Sequence, residues 1–231
     1  MDIIIISCGK FELHRNLTQN AVNTCINSRG DFRILVIETC QDVKYQNCET
    51  FYFPTANKFN YNKALNYGMS LCKDKYVALC NNDIIFHKEW SQNIIHVLDN
   101  YADSACPFDT GYHVNYKEAL KYKLTQGNHI FINNQVRVFF VGWCFAIKRE
   151  VWNKIGGFNE GVEFYFSDDI VIEQYKKHGI KHALVCNSLV DHWHGGEKTW
   201  RDVLCKSKQR YYTGGQEGKF RQAKEKLWRS Q

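Results

Sequence analysis

The chain has 231 residues, enough for one domain that buries roughly 70–75% of the surface its unfolded form exposes. With 44% hydrophobic and 23% charged residues, two prolines and no low-complexity tract, the composition is that of an ordinary globular protein. No run approaches the ~20 apolar residues of a membrane-spanning helix, and the net charge of +6 lies mostly after Lys198.

Apolar runs and helical spacing predict the elements in chain order. In the first part of the chain these patterns predict a strand at 3–7, a helix that ends near Gly30, strands at 33–37 and 51–53, a helix at 62–72 and a strand at 76–80. Because strands and helices alternate, we expect an α/β fold with a mostly parallel central sheet flanked by helices.

The rest of the chain is less regular. It predicts a helix at 88–101, an irregular stretch over 105–135 with one helix at 116–123, a strand at 136–147, a short helix at 150–155, a helix at 168–178 ended by Gly179, and a strand at 182–190. Long irregular stretches in compact domains are usually functional or mobile.

The sequence also indicates a compartment. The apolar run at 3–6 is too short for a signal sequence and lacks a basic leading region, so we expect a cytoplasmic protein, in the host cytoplasm if the gene is viral. Ten cysteines are present without a Cys-x-x-Cys motif. We therefore predict reduced, structural cysteines, several of them (Cys80, Cys144, Cys186) inside apolar runs.

The most informative segment is YVALCNND at 76–83, where a buried strand runs directly into Asn81, Asn82 and Asp83. Ligands of open α/β sheets bind beyond the carboxyl ends of the strands, so Asp83 is expected to point into a crevice. Carboxylate and amide oxygens suit Mg²⁺ or Mn²⁺, which keep positions for substrate phosphates. The alternative is a turn-capping role for Asp83.

Four further motifs accompany this segment in a set order. They are FNYNKALNYG at 59–68, GGFNE at 156–160, YFSDD at 165–169 and LVDHWHGG at 189–196. Over residues 1–196 the five motifs resemble the family 2 glycosyltransferases, inverting enzymes with the GT-A fold. The resemblance implies a catalytic domain at 1–196 and a basic helical extension at 197–231. It also implies a nucleotide diphosphate sugar as donor, UDP-linked, and Mn²⁺ or Mg²⁺ as cofactor.

The resemblance assigns roles to the acidic and histidine residues. Asp83 becomes the main metal ligand, and His192 or His194 supplies a second one, with His192 favoured. Asp168 becomes the general base that takes the acceptor's proton, and Asp169 is the reserve because the family usually has Glu-Asp where this chain has Ser-Asp-Asp. Without the resemblance, the two aspartates read as charges that stabilise a helix N-terminus.

The resemblance also places the donor. Its binding residues are expected at strand ends and on the helix that faces the nucleotide, with Glu38 on the uracil or ribose, Asn81 toward the ribose and Lys63 near a phosphate. The full set is Ser7, Cys8, Glu38, Lys63, Asn66, Asn81, Asn82 and Trp143. Trp143 is placed near the sugar and the acceptor, and core packing is its alternative.

The acceptor stays open between two classes. The basic segment after Lys198 contains interleaved aromatic residues, which is typical of surfaces that bind nucleic acid. Together with an Asn/Ile/Lys-rich composition, it favours a phage gene whose product glycosylates hydroxymethylated bases in DNA. The other class is a glycan or glycoconjugate, with the basic segment as a solvated helix face.

Two other functions compete. A non-catalytic carbohydrate- or nucleic-acid-binding module would have no use for Asp83, Asp168 and His192. A nucleotidyltransferase would share the sheet and a metal site, but the chain lacks a Gly-rich, basic loop after the first strand. The sequence makes no prediction of the oligomeric state.

Overall fold

The computed structural model describes residues 1–40, 42–53, 59–109, 111, 130–193 and 209–229, with side chains of the last helix from residue 215. The strands are β1 (Asp2–Ser7), β2 (Arg33–Glu38), β3 (Glu49–Tyr52), β4 (Tyr76–Asn81), β5 (Ile84–Phe86), β6 (Ser104–Asp109), β7 (Ile130–Ile132), β8 (Cys144–Lys148) and β9 (His182–His192). The helices are α1 (Glu12–Asn27), α2 (Tyr61–Leu71), α3 (Trp90–Asn100), α4 (Arg149–Lys154), α5 (Ser167–His178) and α6 (Gln209–Arg229).

The strands of these ranges form one mixed sheet in the order β3-β2-β1-β4-β8-β6-β9-β5, with β7 paired to β9. The first four strands in this order are parallel, so their carboxyl ends share one edge. Alternate residues of β1 enter different cores: Ile4 packs with α2 and α5, whereas Ile3 and Ile5 pack with α1 and α3. Burial on both faces explains the continuous apolar run. The predicted α/β fold is confirmed.

Strand β8 runs antiparallel between β4 and β6, and it determines where the site forms. Cys80 of β4 pairs with Cys144 of β8, so the end of β4 meets the start of β8. The backbone N–H of Asn81 accordingly donates to the carbonyl oxygen of Trp143 at 2.8 Å. At the far edge, β5 pairs antiparallel with β9 and aligns Ile84 with His192.

Two predicted elements were wrong. The stretch 105–135 begins and ends in strands, because β6 lies between β8 and β9 and β7 pairs with the outer side of β9. Strand β6 contains Pro107 and β7 has only three residues, so tertiary pairing and not local pattern makes them strands. The strand predicted at 136–147 starts only at Cys144, after a turn in which Arg137 has φ 66°. The helix predicted at 116–123 lies outside the described residues.

Helix α6 packs against α5 through a small apolar cluster of Val162, Ile170 and Ala223. The ammonium of Lys177 on α5 donates to the carbonyl oxygen of Leu227 at 2.6 Å, which adds a polar contact. The domain boundary predicted near residue 196 falls in a range that is not described and stays a prediction. Among the described helices, none is long and apolar enough to cross a membrane.

A disulfide joins Cys8 and Cys40, just beyond the carboxyl ends of β1 and β2. The prediction that all cysteines are reduced is therefore wrong for this pair. Parallel pairing of β1 with β2 brings the two loops together, which the spacing of the cysteines does not reveal. Cys80, Cys144 and Cys186 are free thiols, as predicted.

We expect Cys40→Ser to lower the free energy of unfolding in non-reducing buffer by about 3–4 kcal/mol, because the bond closes a loop across a sequence separation of 32 residues. Denaturant unfolding measures this, and excess reductant should lower the wild type to the same value. Cys48→Ser, which removes a half-buried free thiol nearby, is the control and should change stability little. Equal stability of Cys40→Ser and wild type would contradict the bond.

Candidate active site

Asp83 and His192 meet at the edge where β4 ends. Asp83 lies in the two-residue turn between β4 and β5, and its carbonyl oxygen accepts from the backbone N–H of Trp193 at 2.9 Å. This bond ties the turn to the end of β9. Nε2 of His192 consequently lies 3.2 Å from Oδ1 of Asp83, and both side chains are mostly buried.

The pair has the features of a site for a hard divalent ion. Oδ1 of Asp83 is buried and meets no hydrogen-bond donor among the described residues, although Nε2 of His192 lies 3.2 Å away. Two neighbouring ligands of an octahedral ion with bonds of about 2.1 Å lie about 3.0 Å apart, close to this separation. Nowhere in the described ranges do three His, Cys, Asp or Glu side chains converge. Within the described residues, Asp83 and His192 are thus two candidate ligands for such an ion.

Trp143 fixes the orientation of the histidine. Its indole stacks on the imidazole of His192, with ring centroids 4.9 Å apart and an angle of 12° between the planes. Trp143 also packs against both hydrophobic cores, so its core-packing role and its position at the site coexist. The stacked ring limits rotation of the imidazole and keeps Nε2 directed at Asp83.

Tyr61 connects this pair to the second half of the site. Its hydroxyl donates to Oδ1 of Asn81 at 2.9 Å and lies 3.2 Å from the carbonyl oxygen of Gly142. Burial raises the pKa of Tyr61, and the nearby carboxylates of Asp83 and Asp168 add to the rise. Tyr61 therefore stays a neutral donor between the two acidic groups.

The second half is the carboxyl pair at the start of α5. Burial raises the pKa of Asp168 to about 6, the carboxylate of Asp169 adds to the rise, and Arg137 opposes it. Nη2 of Arg137 lies 2.7 Å from Oδ2 of Asp169, so these two form an ion pair. The two aspartates thus differ: Asp169 forms an ion pair with a guanidinium, whereas Asp168 is a half-buried carboxyl whose pKa is raised to about 6.

Backbone strain concentrates around this carboxyl pair. Phe166, which precedes α5, has φ 66°, and so does Arg137. Bulky residues rarely adopt this left-handed conformation, which costs of order 1–3 kcal/mol and clusters at functional sites. Gly142 adds a steric constraint, because a Cβ at this position would lie 2.9 Å from the Cβ of Asp168. The position of Asp168 is therefore tightly determined.

The residues predicted to hold the nucleotide lie at the ends of β1 and β2. Glu38 is fully buried, and its carboxylate accepts from the backbone N–H groups of Gly9 and Cys40 and from the Tyr45 hydroxyl. The Ser7 hydroxyl lies 3.0 Å from the same tyrosine hydroxyl. These contacts hold the two loops that the Cys8–Cys40 disulfide also joins.

The amide residues predicted for the donor separate into different surroundings. Nδ2 of Asn82 turns toward α1 and donates to Oγ1 of Thr18 at 3.0 Å, whereas Asn81 faces Tyr61. Both amide atoms of Asn66 contact the turn after α4, where Nδ2 donates to the Phe158 carbonyl oxygen and Oδ1 accepts from its N–H. Lys63 is exposed on α2.

The structure brings together Asp83, His192, Trp143, Asn81 and Asp168, all of them predicted from the sequence. His194 lies outside the described residues. Sequence reasoning missed Tyr61 and Arg137. Tyr61 begins a helix already singled out by its motif, and that position was the available signal. No sequence signal pointed to Arg137, because its contact with Asp169 depends on a turn in a stretch for which the sequence pattern predicts a strand.

Comparison with known proteins identifies the family. The sequence profile described as Glycosyl transferase family 2 matches residues 2–156, more than half of the chain. The chain belongs to glycosyl transferase family 2. No curated protein sequence gives a significant match.

Two solved structures are similar to this chain in fold. A mannosyltransferase, PcManGT from Pyrobaculum calidifontis, in complex with GDP-Man and Mn²⁺, has a TM-score of 0.63 at 12% identity, over 85% of this chain and 57% of its own. GalNAc-T7 with UDP, GalNAc and Mn²⁺ has a TM-score of 0.63 at 12% identity, over 83% of this chain and 43% of its own. This family 2 chain thus spans about half the length of these proteins.

Proposed function

We propose that this chain is an inverting, metal-dependent glycosyltransferase that moves a sugar from a nucleoside diphosphate sugar, UDP-linked in the first instance, to an acceptor hydroxyl. The observation that carries the proposal is the arrangement of two chemically different groups on either side of Gly142 and Trp143. On one side lies the Asp83–His192 pair, which suits a divalent ion, and on the other lies Asp168 with its raised pKa.

Asp83 and His192 would hold Mn²⁺ or Mg²⁺. Both structural neighbours are complexes with Mn²⁺, one with GDP-Man and one with UDP, which supports a divalent ion as cofactor. A bound divalent ion supplies Lewis-acid stabilisation of the diphosphate as it leaves. The chain's own contribution is to fix the ligands, through the Trp143 stack on the imidazole and the Trp193 N–H bond to the Asp83 carbonyl oxygen.

Asp168 acts as the general base in this proposal. The acceptor hydroxyl gives its proton to the carboxylate, its oxygen forms a bond to the anomeric carbon, and the bond from that carbon to the diphosphate breaks with its electron pair on the leaving group. Attack from the face opposite the diphosphate inverts the anomeric configuration. A carboxylate with a pKa of about 6 is a better base than an ordinary aspartate and is still ionised at neutral pH. Asp169, which forms an ion pair with Arg137, is the alternative candidate for the base.

A panel of UDP- and GDP-sugars, incubated with Mn²⁺, with Mg²⁺ and with excess chelator, tests the proposal. We expect metal-dependent release of the nucleoside diphosphate, with slow transfer to water when no acceptor is present. Proton NMR of the freshly formed product should show the inverted anomer. Absence of release with every donor argues for a non-catalytic module, and a product with retained configuration would refute the single-displacement mechanism.

The position of Asp168 is testable through Gly142. We expect Gly142→Ala to lower kcat by about 10²-fold, because the added methyl group displaces the Asp168 side chain and small misplacements cost that much. The KM for the donor should change little. Gly215→Ala, at a site on α6 with open space around it, is the matched control and should be fully active. Normal kcat in Gly142→Ala would show that Asp168 is not under this constraint.

The acceptor predicted as hydroxymethylated DNA depended on the basic segment that begins at Lys198. Residues 194–208 lie outside the described ranges, and the DNA acceptor and phage origin remain predictions. The described part of α6 gives them no support, because four of its cationic side chains are paired with carboxylates. The four are Lys219, Arg221, Lys224 and Arg229.

A further inference from the structure

An aromatic cluster lies beside the candidate base. Phe59, Tyr61 and Phe164 contact one another, with ring centroids 5.8 Å apart for Phe59–Phe164, 6.2 Å for Tyr61–Phe164 and 6.3 Å for Phe59–Tyr61. Tyr61 is buried, Phe59 is half-buried and Phe164 is 43% exposed. The cluster therefore exposes one phenyl ring to solvent, supported by the buried Tyr61 and the half-buried Phe59.

Two contacts place this ring at the site. The carbonyl oxygen of Phe164 accepts from the backbone N–H of Ser167 at 3.3 Å, and Ser167 is followed directly by Asp168. Below the ring, Tyr61 bonds to Asn81 and Gly142, between the metal pair and the base. An exposed aromatic ring bordered by polar catalytic groups is typical of a binding site.

Helix α6 supports the loop that carries the ring. The buried side chain of Gln216 accepts from the backbone N–H of Phe164 at 3.1 Å. Phe220 stacks on Phe166, with centroids 5.3 Å apart and an angle of 13° between the planes. Lys219 forms an ion pair with Glu163. Three side chains of α6 thus contact the loop 163–166 and stabilise its position.

We propose that Phe164, on its base of Phe59 and Tyr61, is a platform on which the sugar ring of a carbohydrate acceptor stacks, and that α6 positions this platform. The inference rests on the proposed transferase function. A pyranose has an apolar face of C–H groups and a polar edge of hydroxyls. The partly exposed phenyl ring of Phe164 matches the apolar face, and the Asp168 carboxylate nearby matches the hydroxyl groups.

The charges near the platform favour a carbohydrate over nucleic acid. Binding of a DNA backbone requires cations that neutralise phosphates. Here Lys219 is paired with Glu163, Arg137 is paired with Asp169, and Asp168 adds a negative charge when ionised. A neutral sugar is not repelled by this arrangement, whereas a phosphodiester is.

Kinetics with p-nitrophenyl glycosides of common hexoses as acceptors tests the platform. In Phe164→Ala we expect the acceptor KM to rise at least about 10-fold, because the stacking surface is lost, while metal-dependent hydrolysis of the donor stays at the wild-type rate. Phe164→Tyr keeps an aromatic face and should retain a KM near the wild-type value. Tyr101→Ala is the control, since Tyr101 is 40% exposed and lies just before β6, whose first residue pairs with His182 at the opposite end of β9 from His192.

The outcomes separate this inference from the proposed function. If the wild type hydrolyses no donor, the proposed function fails first. If it hydrolyses donors but Phe164→Ala keeps the wild-type acceptor KM, or no glycoside accepts the sugar, the platform is refuted. Transfer to hydroxymethylated duplex DNA with the glycosides inert would likewise overturn the carbohydrate assignment.

Discussion

Asp83→Asn is expected to reduce sugar transfer by at least about 10³-fold, because it removes the charged ligand of the divalent ion that stabilises the leaving diphosphate by several kcal/mol. The fold should be retained, since the backbone bond from the Trp193 N–H to the Asp83 carbonyl oxygen does not involve the substituted group. Measurement of transfer rate against Mn²⁺ concentration should show an activity that rises only at much higher metal concentration.

The chain offers a matched control for this change. Asp191 and His87 form a second carboxylate–imidazole pair, with 2.9 Å between Oδ2 and Nε2, but both side chains are about 40% exposed. Asp191→Asn removes the same charge one residue from His192 and should leave the metal dependence unchanged. Transfer at full rate in excess chelator would contradict the assignment of both Asp83 and His192.

Asp168→Asn should lower kcat by about 10²- to 10⁴-fold, because the amide keeps the shape of the side chain but does not accept the acceptor's proton. The KM for the donor should hardly change. In the wild type, kcat/KM should fall tenfold per pH unit below about 6, where Asp168 is protonated, and this limb should disappear in the variant. Should Asp169→Asn be the more damaged variant, the base would be Asp169.

Stability distinguishes a catalytic role from a structural one at Asp168. A carboxyl whose pKa is raised by folding binds its proton more tightly in the folded state, so the protein loses stability as pH rises from 3.8 to about 6. Above pH 6 the ionised carboxylate lowers the free energy of unfolding by up to about 3 kcal/mol. Asp168→Asn should therefore unfold at a higher denaturant concentration than the wild type at pH 7.5, although it is nearly inactive. Reduced stability would indicate a structural role.

Much of the fold could be predicted because its strands and helices carry their signal locally. The buried runs of β1, β2 and β4 are apolar on both faces, and α1, α2 and α5 show apolar residues at helical spacing. The position of Asp83 was predictable for the same reason, since an apolar strand followed by Asn81, Asn82 and Asp83 ends in a polar turn. The strands β5, β6 and β7 were missed because their short sequences become strands only through pairing with β8 and β9.

The sequence by itself determined the α/β class, the turn with Asp83 and the set of acidic and histidine residues from which the site is built. Tertiary structure alone decided which of them meet. Antiparallel pairing of β5 with β9 sets His192 beside Asp83, and the turn containing Arg137 makes Asp168 and Asp169 different. The physical reason is that strand and helix preferences depend on short stretches of sequence. The distance between side chains on separate strands, and the pKa of a carboxyl, depend instead on the residues that pack around them in the folded protein.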